Sequence, residues 1–272
     1  MSNPKHDADF RFPFGENWDR FLRVLNEDRI RFAVSSLGEI LAGFDLGDRD
    51  FLDVGSGSGL SSLAARRLGA RVVSFDYDPE SVACTLELKK RYFPNDTAWR
   101  VEQGSVLDES FLTRLGSFDV VYSWGVLHHT GAMNEAMAKV LIPLRGGGRL
   151  AVSLYNNQGW ASRLWRLWKR LYNRSPLPVR GCILFLSLLR LWGPTTLKDF
   201  LRGRPFQTWR TYGKERGMSP WHDLVDWVGG YPFETASPED VVAFYAERGL
   251  KLIQAKTCGR GRGCNEFLFE RR

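Results

Sequence analysis

Histidine, methionine and cysteine are scarce in this chain, with four of each among 272 residues. So few thiols exclude a disulfide-built scaffold, and Cys84, Cys182, Cys258 and Cys264 read as free. Cys258 and Cys264 do not stand at a zinc-ligand spacing and no histidine pair supports them, so no metal site is expected. Long apolar runs are missing too. Residues 182–189 make a stretch of eight apolar or small residues, against the roughly 20 residues that a bilayer crossing takes. No basic-then-apolar signal segment opens the sequence, and residues 1–9 are polar. There is no internal repeat and no low-complexity tract. The expected location is cytoplasmic, with association at the inner face of a membrane left open.

What is present describes a globular protein. Hydrophobic residues make up 43% and charged residues 25%, enough for one core of about 200–250 residues plus additions. Residues 10–49 show helix-like spacing of apolar side chains at Trp18, Phe21, Leu22, Leu25, Ile30, Val34, Leu37 and Leu41. Strands are then expected at 51–54, 71–76, 98–103, 118–124 and 149–154, with helices at 60–68, 79–92 and 133–141 between them. Asp78-Pro79-Glu80 has the form of an N-cap followed by proline in the first turn. Such alternation implies a parallel sheet with helices on both faces. Sheet signals return at 250–257 and 266–270, a hairpin joined by a glycine-rich loop, after a helix that starts at Ser237-Pro238. The expected organisation is a helical cap (1–49), a Rossmann-like core (50–157), a helical insertion (158–236), and a helix plus hairpin that complete the sheet (237–272).

The most informative motif is Asp53-Val54-Gly55-Ser56-Gly57-Ser58-Gly59, at the end of the first strand and ahead of a helix. Its glycines permit a tight turn and a close approach to bare backbone, and the helix that follows offers free N–H groups. Neither register continues as the dinucleotide pattern G-x-G-x-x-G/A, because Leu60 and Ser62 occupy the last position. The turn also lacks the lysine of a phosphate-binding loop.

This D-x-G-x-G-x-G spacing resembles motif I of the class I S-adenosylmethionine methyltransferases, and in particular the small-molecule enzymes of ubiquinone and menaquinone biosynthesis. The resemblance implies a seven-stranded sheet, mostly parallel, with a C-terminal hairpin. It implies S-adenosylmethionine as cofactor, held by Asp53, Gly55, Ser56, Gly57, Gly59, Asp76, Tyr77, Gly104, Ser105, Val106 and Trp124. Asp76, at the end of Val72-Val73-Ser74-Phe75-Asp76, takes the place of the acid that accepts from ribose hydroxyls. Ser105 stands where the family usually has aspartate. A sulfonium cation without phosphates needs no basic cradle, in keeping with the turn.

The Leu127-His128-His129 run matches the Leu-x-His that the family often carries beside the methyl group. A hydroxyl acceptor needs a base, and imidazole, with a reference pKa near 6.5, can take that proton. His129 is the expected catalytic residue there, joined by His222 and Asp226, four apart on one helical face. Trp18, His128, Tyr155, Asn156, Asp223, Trp227 and Tyr231 are the expected acceptor-binding residues.

Charge is uneven. Between Trp160 and Gly217 stand 13 Lys/Arg and 2 Asp/Glu, a local net of +11 against +7 for the chain, so the remainder is net negative. Five of the ten tryptophans share this stretch. In residues 160–172, Leu164, Trp165, Trp168, Leu171 and Tyr172 form one face, with Arg163, Arg166, Lys169 and Arg170 around the other. A helical lid, an interfacial contact with a membrane through 160–192, and a nucleic-acid contact are the readings of this pattern, the last the least favoured. The expected partner is a small-molecule acceptor.

Overall fold

In a computed structural model of the protein, the described residues are Phe12, 14–216, 220–259 and 261–272. The side chains of Glu16, Asn17, Asp19, residues 213–216, His222 and Asp226 also lie outside the description, as do residues 1–9 and Ser219, which with Pro220 suits a helix start by sequence.

Seven strands form one sheet: β1 (Asp50–Val54), β2 (Arg71–Asp76), β3 (Trp99–Gln103), β4 (Phe118–Trp124), β5 (Leu144–Tyr155), β6 (Leu250–Lys256) and β7 (Cys264–Arg271). Their order is β3-β2-β1-β4-β5-β7-β6. The first five pair in parallel, and β7 runs antiparallel between β5 and β6. The expected fold class and the closing hairpin are therefore observed. Alternate residues of the buried strands feed two layers. Phe51, Val72, Val120 and Tyr122 join a cluster with helices α2 (Glu27–Ile40), α3 (Leu60–Arg67) and α4 (Pro79–Tyr92). Leu52, Val54, Val121 and Val152 join the opposite cluster with α5 (Glu109–Leu115), α6 (Met133–Lys139) and α11 (Pro238–Ala246).

Local signals account for the helix starts. Asp78 caps α4, accepting from Glu80 N, and Ser237 caps α11, accepting from Asp240 N; such caps satisfy N–H groups that have no partner within the helix. Helix α5 was not expected. It has only seven residues, and its signal is the Asp108 carboxylate accepting from Phe111 N. Strand β5 begins five residues earlier than its apolar run, because Gly146-Gly147-Gly148 is taken into it through a register shift opposite Phe118 and Val120.

The described residues divide into two compact units: those of 14–162 with 234–272, and those of 163–233 with Phe12. The second stands a few residues inside the insertion expected at 158–236. It is built from α7 (Trp160–Arg174), α8 (Leu177–Leu201), α9 (Gln207–Arg216) and α10 (Pro220–Gly229), around Tyr172, Ile183, Trp192, Leu224 and Val228. Two expectations change here. Lys169 is fully buried, not on a solvated face. Its Nζ donates to Trp227 O and lies 4.8 Å from the ring centroids of both Trp227 and Phe233, a carbonyl and two π faces standing in for water. Helix α8 also runs far beyond that eight-residue stretch, and by length and composition it could cross a membrane.

Asn156, expected among the acceptor-binding residues, is buried and bonded within the fold. Its Nδ2 donates to the carbonyls of Gly259 (2.9 Å) and Gly261 (3.0 Å), and its Oδ1 accepts from Asn265 Nδ2 (3.0 Å). A buried amide has to find such partners, and here they hold the β6–β7 loop to the end of β5. Asn156→Ala should lower stability by about 1–3 kcal/mol, read as a drop in melting temperature, with faster amide exchange confined to residues 257–265.

Candidate functional site

The strand order reverses between β1 and β4, and ligands of open parallel sheets bind outside the carboxyl ends of the strands at such a point. The glycine turn sits there. Gly55 and Gly59 have φ of +78° and +79°. A Cβ at Gly55 would stand 2.5 Å from Val126 side-chain carbons, and one at Gly59 would stand 2.9 Å from Thr85 Cα. Only glycine lets the β4 loop and α4 close on the turn. Gly55 N and Ser56 N both donate to Phe75 O (2.9 and 3.0 Å), and Ser56 Oγ pairs with Thr85 Oγ1 (2.9 Å). The Ser56 hydroxyl thus fastens the turn to α4.

Two carboxylates flank this turn. Asp76 Oδ2 accepts from Gly57 N (2.9 Å) and Oδ1 from Asp78 N (3.0 Å). Each oxygen keeps further acceptor capacity, which suits vicinal hydroxyls. Asp53 is 2% exposed, and its Oδ2 accepts from Ser62 Oγ (2.5 Å). Ser62 Oγ lies 2.6 Å from Ser74 Oγ, which accepts from Trp99 Nε1 (2.8 Å). With Trp99 able only to donate, the protons run Trp99 to Ser74 to Ser62 to Asp53. Burial pushes the Asp53 carboxyl up to about 7 against the opposing Ser62 bond, with Asp76 adding like-charge repulsion. Burial raises Asp76 too, opposed by the N–H groups of Asp78 and Gly57. The turn has no Lys or Arg. This arrangement fits a phosphate-free nucleoside bearing positive charge better than a dinucleotide.

Helix α1 (Phe14–Leu22) closes on the same turn. Gly15 N donates to Asp78 Oδ2 (2.9 Å), and a Cβ at Gly15 would fall 2.3 Å from Glu80 Cβ. Trp18 Nε1 lies 3.0 Å from where a Gly57 Cβ would stand. Trp18, expected on the acceptor side, therefore borders the glycine turn.

Beyond β4 a 3-10 turn (Leu127–His129) presents the two histidines. His128 is 1% exposed, with Nδ1 accepting from Tyr155 N (3.3 Å) and its carbonyl accepting from Glu234 N (3.0 Å). Its expected role in holding an acceptor gives way to a structural one. His129 is half-buried, its ring 4.9 Å from Phe14 and 5.3 Å edge-on to Tyr155. Val126, which fills the space beside Gly55, also accepts from His129 N (2.9 Å). One short loop thus links the turn to the histidine.

Residues 52–152 match the model of a methyltransferase domain family. This stretch resembles the class I methyltransferase domains. Among relatives, a ubiquinone biosynthesis O-methyltransferase of Xanthomonas oryzae pv. oryzae is 33% identical over 50% of this chain and 52% of its own. A tRNA U34 carboxymethyltransferase of Methylococcus capsulatus is 31% identical over 44% of this chain and 36% of its own. The chain thus spans only about a third to a half of the length of these relatives. The crystal structure of magnesium protoporphyrin IX methyltransferase from Synechocystis PCC 6803 with bound SAM superposes with a TM-score of 0.55, covering 100% of this chain and 99% of that one at 12% identity, which shows the fold alone.

In the first unit the remaining expected residues divide. Gly104 N donates to Asp76 O (2.9 Å), and a Cβ there would meet Phe111 at 2.2 Å. Ser105 Oγ accepts from Leu107 N (3.1 Å), a local turn. Val106 is buried in the core with Phe75 and Phe111. Tyr77 is exposed, and Trp124 stacks on Tyr122 with centroids 5.3 Å apart. The side chains of His222 and Asp226 lie outside the description, and their helix α10 belongs to the other unit. There Asp223 accepts from Tyr212 (2.7 Å), Trp227 packs edge-on to Trp165 (5.7 Å), and Tyr231 is buried. Sequence reading missed Ser62, Ser74 and Trp99, whose only sign was polar side chains inside apolar elements.

The Asp53 shift predicts a pH dependence. A folded carboxyl titrating near 7 binds a proton more tightly than the unfolded one near 3.8. Stability from this group is complete below about pH 4 and falls as pH rises towards 7. Asp53→Asn should therefore gain on the parent by about 1–3 kcal/mol between pH 5 and 8, measured by urea unfolding across that range.

Proposed function

We propose that this chain transfers a methyl group from S-adenosylmethionine to a small-molecule acceptor, by O-methylation of a hydroxyl on an aromatic, quinone-like or sugar-containing metabolite. The observation that carries the reading is the Asp76 carboxylate bonded to Gly57 N at a turn without basic residues. Bound S-adenosylmethionine supplies an electrophilic methyl on a sulfonium. Asp76 suits the ribose hydroxyls, and Asp53, behind the turn, supports the positive charge through the field of the site. Helix α1, with Trp18 at the turn, excludes water from that side.

His129 holds the acceptor proton in this reading. A phenol with a reference pKa near 10 loses its proton only as the new bond forms, and a neutral imidazole within reach accepts it. Phe14 and Tyr155 beside the ring give a planar acceptor apolar surfaces. Alignment of donor and acceptor supplies much of the remaining rate. An RNA acceptor is the second reading, favoured by the name of the Methylococcus relative.

The test uses labelled S-adenosylmethionine with a panel of phenols, quinols and glycosides beside a tRNA transcript. Label should enter a small molecule, and His129→Ala should lower turnover about 10²–10⁴-fold while S-adenosylhomocysteine affinity stays within about twofold. Label in the tRNA alone, or full turnover by His129→Ala, contradicts the reading.

A further inference from the structure

Helix α8 has an outward face on which, among the described residues, apolar side chains predominate. Its inward positions Ile183, Ser187, Trp192 and Asp199 are buried within the unit. On the other side Phe185, Leu186, Leu189, Leu197, Phe200 and Leu201 are 52–81% exposed. A helix of a soluble unit ordinarily turns polar residues that way, and exposed apolar patches of this extent mark interaction surfaces. Helix α7 repeats the feature, with Leu164, Leu167 and Leu171 exposed at i, i+3 and i+7.

Charge identifies the occupant. Arg163, Arg174, Arg190, Lys198, Arg202 and Arg204 are exposed around these leucines. The two described acidic side chains of the unit turn inward. Asp199 accepts from Thr208 N and Oγ1 (2.8 and 2.9 Å), and Asp223 accepts from Tyr212 Oη (2.7 Å). An apolar stripe edged by exposed cations is the pattern of a helix lying in a lipid headgroup layer.

We propose that this face of residues 163–233 docks on an anionic phospholipid bilayer, with α8 in the plane of the interface. It goes beyond methyl transfer and does not depend on that reading. The helix does not cross the bilayer: its inner stripe is already packed within the unit, and Arg180, Arg190, Lys198 and Asp199 recur along it. A second copy on this face would set cations against cations. An RNA would leave the leucine stripe in water.

The test is co-sedimentation of the full chain with phosphatidylcholine vesicles, with and without phosphatidylglycerol, over a salt series. The expected result is binding that needs the anionic lipid and weakens with salt. Arg190→Gln with Lys198→Gln should reduce partitioning about 25-fold, near fivefold per charge. Leu186→Glu with Leu189→Glu should abolish it, with unchanged far-UV circular dichroism. Overturning results are no binding to anionic vesicles, equal binding to neutral ones, or undiminished binding by the folded Gln variant. A dimer or an RNA complex that the leucine variant disrupts, without vesicle binding by the parent, also overturns it. Calorimetry with S-adenosylhomocysteine follows the cofactor site separately, so failure of either reading leaves the other standing.

Discussion

One buried carboxylate organises the first unit. Asp53 lies at the end of β1 where the glycine turn begins, almost without solvent. Desolvation makes its charge costly, and the structure answers with donors in series from α3, β2 and β3. Those contacts bind the first turn of α3 to the sheet and set the level at which the glycine turn leaves it. The Gly57 bond to Asp76, the Val126 contact at Gly55 and the approach of α1 all presuppose that level. A neutral side chain would fill the same space. The carboxylate adds a negative potential behind a turn that carries no basic residue of its own.

The polarity of that site follows from what surrounds it. Two acids with raised pKa values, close enough to repel each other, leave the site short of positive charge. A cationic ligand relieves both at once, whereas an anionic one meets the N–H groups of the turn but also the two carboxylates. The charge pattern therefore discriminates between nucleotide-like ligands more sharply than the glycine spacing does, since glycine turns of similar form serve dinucleotides as well.

Most of the core was legible because its signals are local. The caps at Asp78 and Ser237, the alternating strands and the glycine turn each depend on residues within a few positions. What was not legible depended on distant partners. Asn156 looked available until Asn265 and the Gly259 and Gly261 carbonyls came to it from over 100 residues away. Lys169 looked solvated because helical periodicity cannot foresee two rings and a carbonyl brought in by α10 and the segment after it. Of two adjacent histidines, only the fold could show that Tyr155 N takes the first. Short α5 escaped because its one local sign was the Asp108 cap.

The same contrast separates the two units. In the first unit, Asp53, Ser62, Ser74 and Trp99 are bonded to one another within the core, and the sheet's apolar residues are covered on both faces. Between Arg163 and Phe233 the inner faces are covered as well, yet α8 keeps leucine and phenylalanine on its outer side. Solubility alone would favour polar residues at every one of those positions, and no packing requirement within the unit calls for apolar ones. Side chains that neither the core nor water accounts for are explained by a third environment. The excess of exposed arginine and lysine beside them gives that environment a sign.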